Sequence, residues 1–164
     1  MDKYLNSIVN TAYNKIINRC KVEILSKQDI DNLDIQWEDL PLEIQGDCLP
    51  EAYEIRLNSN IKDFDVLVDT MVHELIHYYV YLEFDANRHD FMYTVYDDES
   101  NIFMMLLAWI NPTEDNNNIY WNDFKDSYLY DAVKSCKKFT EVFELVVSKY
   151  NYEVQSLEYK LSVL

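Results

Sequence analysis

The strongest constraint on this chain is the segment Val66 to Tyr93, which contains His73-Glu74-Leu75-Ile76-His77 in an otherwise apolar run. All three histidines of the protein lie here, the third being His89, twelve positions after His77. Val66, Leu67, Val72, Leu75, Ile76, Tyr79 and Val80 recur mostly at steps of one or three, the pattern of a helix with much of its surface buried. Asp69, His73 and His77 form a polar row of their own at four-residue steps. No Gly or Pro interrupts the run, so the spacing predicts a helix from Asp65 to about Glu83. Asn58-Ser59-Asn60 and Asp63 supply start signals, and Phe84 to Arg88 reads as a turn.

Two imidazoles four apart on a helix project from one face and can reach a single metal ion, with Glu74 beside a water on that ion. Zinc is the expected metal, held by His73, His77 and His89, with Glu74 as the catalytic acid–base. Other third ligands stay open. The longer pattern with Gly seven residues after the first histidine would need Gly at position 80 and a ligand at 83, where this chain has Val80 and Glu83. A downstream carboxylate points instead to Glu99, on a helix expected over Asp97 to Ile110. Asp97, Asp98 and Glu99 also suit helix capping, or acceptance of a hydrogen bond from a ligand imidazole. Tyr93, Tyr96 and Arg88 are candidate donors to a developing oxyanion, and Asp69 is a candidate for orienting a ligand.

Asp69 to Tyr79, followed by His89 and by Tyr93 four positions later, resembles the SprT-like metallopeptidases, the Spartan and SprT group. Upstream, Tyr53 to Asn58 is similar to the strand ending in Leu-Asn that precedes the helix in that family. The likeness spans about Tyr53 to Tyr96. It departs at Asp90, where Gly commonly follows the third histidine, and no C-terminal zinc ribbon is recognisable. The resemblance implies a zincin-like fold, one zinc ion, and peptide-bond hydrolysis on proteins attached to DNA.

At 164 residues and 49% hydrophobic content, the chain is expected to be one domain with a sizeable core. That domain would have a zinc-site core over about 53–96 and a helical extension over 97–164. The expected class is α+β, a small antiparallel sheet packed on the active-site helix with additional C-terminal helices. Leu5 to Cys20 reads as a first helix. Val22 to Leu25, Leu42 to Gln45 and Tyr53 to Leu57 read as strands, the last two joined around Gly46-Asp47. Ser26 to Leu42 gives no clear pattern. Helices are expected over Trp121 to Cys136 and Thr140 to Tyr150, and Tyr152 to Leu164 fits either helix or strand.

The formal net charge of −16 argues against tight direct binding to nucleic acid, which needs clustered Lys and Arg. Two small basic groups remain: Lys15, Arg19 and Lys21, and Lys134, Lys137 and Lys138. They suit helix C-termini. Cys20, Cys48 and Cys136 form no C-x-x-C pair and read as buried reduced thiols. With no signal-like N-terminus and a longest apolar run, Ile102 to Ile110, too short for a bilayer, a cytoplasmic protein without a membrane association is expected. The abundance of Asn, Ile, Tyr, Asp and Lys fits an AT-rich genome such as that of a phage.

The expectation is therefore a zinc endopeptidase acting on a protein or peptide. The alternative is a catalytically idle acidic binding or inhibitor protein, a nucleic-acid mimic in which zinc only staples the fold. A zinc hydrolase with a non-peptide substrate is a further option. Glu74 favours an enzyme, because a structural site needs no acid beside its ligands.

Overall fold

The computed structural model describes residues 1–86, 94–112 and 119–164. The chain forms two compact units, Met1–Asp97 and Asp98–Leu164. The class is α+β, as the sequence predicts.

In the first unit, α1 (Lys3–Cys20) begins at Asp2, whose carboxylate accepts the Leu5 N–H at 2.7 Å. It buries Leu5, Ile8, Val9, Ala12, Ile16 and Cys20 along one stripe. A short helix, α2 (Lys27–Asp31), follows, with Ser26 and Asp29 capping each other's backbone. These two residues fall in the stretch where no pattern is legible, yet they are a capping box written at the right spacing.

Three strands follow: β1 (Asp34–Glu38), β2 (Gly46–Leu49) and β3 (Glu54–Asn58), in the order β1-β3-β2. The sheet is mixed, which corrects the antiparallel expectation. β2 runs antiparallel to β3, whereas β1 runs parallel to it, with Ile35 opposite Ile55 and Trp37 opposite Leu57. β1 comes from the stretch that lacks a clear pattern, because alternating acids mask its apolar positions. Val22 to Leu25 forms bends, not a strand, and Gly46-Asp47 lies inside β2 rather than in a turn. A 3-10 turn, Pro50–Ala52, joins β2 to β3 and ends at Tyr53 with φ 55°. With a single Gly in the chain, the left-handed positions among the described residues fall to Lys21 and Tyr53.

Helix α3 (Phe64–Val80) packs against α1 and against β2 and β3. Every residue from Thr70 to Val80 is buried, and each fully buried Leu or Ile contributes about 1.5–3 kcal/mol. Two polar details set how closely β2 approaches this helix. Gly46 faces Thr70, and a Cβ built on it would lie 2.8 Å from the Thr70 methyl and 2.9 Å from the Arg56 carbonyl. Asn58, fully buried, donates its amide to the carbonyls of Leu40, Pro41 and Ile44 at 3.2, 3.0 and 2.8 Å. That amide shapes the loop leading into β2.

The second unit is helical. Ser100 caps α4 (Asn101–Ile110) through its hydroxyl, and α4 is buried from Ile102 onward. It packs on α5 (Ile119–Lys125), α6 (Tyr128–Lys134) and α7 (Phe139–Ser162). The single helix expected over Trp121 to Cys136 is thus two, and the tail from Tyr152 continues α7 to Ser162. The Thr140 cap moves to Lys138, where the Glu141 carboxylate accepts the Lys137 and Lys138 N–H groups. Asn101 donates to Glu153 at 3.1 Å, tying α4 to α7.

Two predictions follow from this packing. Gly46→Ala forces its methyl into Thr70 and backbone, so urea unfolding should show a loss of about 1–3 kcal/mol. Burial pushes the Cys20 thiol up to about 12 and the Cys48 thiol higher still, the charges of Glu74 and Asp47 adding at Cys48. Iodoacetamide at pH 8 should therefore label both far more slowly in the native protein than in denaturant, as read by mass spectrometry. Prompt labelling of either thiol in the folded chain would contradict the packing described.

Candidate metal centre

The site is built on α3. Asp63 starts the helix by accepting the N–H groups of Asp65 and Val66 at 2.9 and 3.2 Å. With no Gly at position 80, the α-helix continues through Val80 and then widens into a π turn, Tyr81–Asp85. Wide turns of this kind concentrate near functional sites.

His73 and His77 sit one turn apart with ring centroids 4.7 Å apart and planes at 69°. Their Nε2 atoms face each other at 3.0 Å. Two nitrogens bound tetrahedrally to one zinc ion, each at about 2.0–2.1 Å, would be roughly 3.3 Å apart. The pair is thus close to chelating geometry before any rearrangement. Both rings are buried, 8% and 7% exposed, so their nitrogens need partners within the protein or a cation.

His77 has such a partner at its other nitrogen: Nδ1 donates to the backbone carbonyl of Tyr96. A neutral imidazole that carries its proton on Nδ1 has a lone pair on Nε2, the form a metal requires. Glu74 is 5% exposed and adjoins His73 in the chain. Its charge reaches β2, where it helps raise the Cys48 thiol.

The aromatic residues around the site are held protonated. Burial raises the Tyr96 phenol, with Glu51, Asp97, Asp85 and Cys48 adding to it. Tyr78 is pushed up to about 12, mainly by burial, and its ring meets Tyr53 edge-on at 6.3 Å. These phenols can donate hydrogen bonds at neutral pH but carry no charge there.

The structure brings together His73, His77 and Tyr96, the last through its carbonyl rather than the phenol that the sequence draws attention to, with Glu74 buried on the same helix. Asp69, one turn before His73, forms an ion pair with Lys15 of α1 at 2.6 Å, both side chains 40% exposed. Glu99 lies in an exposed turn ahead of Ser100, because α4 begins at Asn101 and not at Asp97. His89, Arg88 and Tyr93 lie outside the described residues. Two contacting residues escape the motif-based reading, Tyr81 and Asp85. Their signal is present all the same: the row Asp69, His73, His77 continues at the same step to both.

The SprT-like family model matches residues 13–97, just over half of the 164-residue chain. This reaches well upstream of the Tyr53 to Tyr96 likeness, taking in the C-terminal part of α1, and it stops where the first compact unit stops. No curated protein and no solved structure matches the chain. The chain belongs to the SprT-like family, and the part that makes it a member is the unit holding the paired histidines.

Proposed function

We propose that this protein is a zinc-dependent endopeptidase, the finer reading of the metallopeptidase-type domain that its family suggests. The observation that carries the proposal is the convergence of the His73 and His77 Nε2 atoms at 3.0 Å, with Glu74 buried beside them on the same helix. Imidazole nitrogens suit zinc, and His89 is the third ligand that the family resemblance implies. When bound, zinc supplies Lewis acidity, which makes water a better proton donor and a peptide carbonyl a better electrophile.

The residues of the chain do the remainder. The Tyr96 carbonyl holds the Nδ1 proton of His77, which leaves the Nε2 lone pair as the one that would bind a metal. Glu74 takes the proton of the attacking water and delivers it to the leaving nitrogen. The buried walls of α3 keep bulk water from competing for that proton. A neutral Tyr96 phenol is available to donate to the oxyanion.

β2 is at an edge of the sheet and packs against α3, so an extended substrate segment can add alongside it by main-chain hydrogen bonds. Cys48 lies on this strand, which packs against the helix that carries Glu74. The net charge of −16 favours basic protein substrates, including proteins that themselves bind DNA, over direct contact with DNA. Of the basic side chains, Lys15 is engaged by Asp69.

Metal analysis combined with cleavage of a histone mixture, with and without DNA, tests this reading. Wild type and Glu74→Gln should both carry one zinc ion, and the variant should cleave at least about 100-fold more slowly. Equal cleavage by the two proteins would remove Glu74 from the mechanism. Zinc in both with cleavage by neither, and unchanged histone binding, would replace the enzyme with an acidic binding protein stapled by its metal.

A further inference from the structure

His77, Tyr81 and Asp85 follow one another at four-residue steps, so their side chains lie along one face of α3 and its π turn. Between them they meet two adjacent residues, Val95 and Tyr96. His77 Nδ1 donates to the Tyr96 carbonyl. The Tyr81 ring meets the Tyr96 ring edge-on, with centroids 5.8 Å apart and planes at 86°. The Asp85 carboxylate accepts the Val95 N–H at 2.9 Å. Val95 itself is fully buried, so its backbone N–H depends on a partner inside the protein. The turn that places Asp85 is closed by the Ala86 N–H donating to the Tyr81 carbonyl at 2.7 Å.

We propose that Asp85 is a positioning residue for the metal centre, holding Val95 so that the neighbouring Tyr96 carbonyl stays on His77 Nδ1. The inference rests on the zinc reading given above. Its physical basis is that the orientation and tautomer of a ligand imidazole are set by the acceptor on its other nitrogen. Here that acceptor is a backbone carbonyl, which cannot be replaced by mutation but can be displaced through its anchors. A carboxylate makes the stronger anchor, because an ionised acceptor shortens and strengthens the bond to an N–H. Tyr81 supplies the second anchor through the ring of the same residue.

The test is zinc affinity of the full chain, measured by chelator competition, for wild type, Asp85→Ala and Asp85→Asn. Loss of an outer partner of a ligand histidine costs about 10–100-fold in affinity, and Asp85→Ala should fall in that range. Asp85→Asn keeps an acceptor oxygen and should stay close to wild type. In the zinc-loaded protein, the His77 Nδ1–H resonance should move upfield in Asp85→Ala and hold its place in Asp85→Asn. A merely structural role would not move it. Wild-type affinity in Asp85→Ala, or an equal loss in both variants, overturns the inference while leaving the zinc site standing. A wild-type chain that binds no zinc overturns both. If Asp85→Ala does not fold, Tyr81→Leu removes the other anchor and should weaken zinc binding; unchanged affinity there also overturns the inference.

Discussion

The structure depends on burying a polar row inside a helix that is apolar almost everywhere else. His73, Glu74 and His77 are each less than a tenth exposed, and unpaired polar groups at that depth cost several kcal/mol. Each must be met by something. His77 is met at one nitrogen by the Tyr96 carbonyl and at the other by His73. The arrangement therefore asks more of its surroundings than hydrophobic burial does, since packing alone cannot direct a lone pair.

The rest of the first unit reads as the answer to that demand. α1 covers one side of α3 with an aliphatic stripe, and β2 and β3 cover another. Gly46 lets β2 approach Thr70, and the Asn58 amide gathers three loop carbonyls, those of Leu40, Pro41 and Ile44. On the remaining face, Val95 and Tyr96 are drawn in by Tyr81 and Asp85. A carbonyl, an amide, a carboxylate and a ring edge thus do what side-chain volume cannot. They fix directions.

The legibility of these parts differs for physical reasons. Helices α1 and α3 were readable because their apolar residues repeat at the helical period over several turns. β3 was readable from the alternation of Ile55 and Leu57. β1 was not, since a parallel partner twenty residues away leaves no local mark and Asp34 and Glu38 blur its pattern. α2 is five residues long, too short to show a stripe, and only the Ser26–Asp29 pair announces it. The split between α5 and α6 occurs at Asp126 and Ser127, whose backbone groups bond back to Asp123 and Phe124; periodicity carries straight across them.

By itself the sequence determined that two imidazoles and a carboxylate would share one helix, and how far apart they would sit. Four-residue spacing is a local property, and the absence of Gly and Pro guaranteed the helix that uses it. Only the tertiary structure decided which nitrogen of His77 carries the proton, because the acceptor is a backbone carbonyl nineteen residues away. Every residue has such a carbonyl, so no residue type can advertise it. The roles of Tyr81 and Asp85 follow the same logic. Their spacing is written in the chain, but what they touch was settled by the path of the backbone through Val95 and Tyr96.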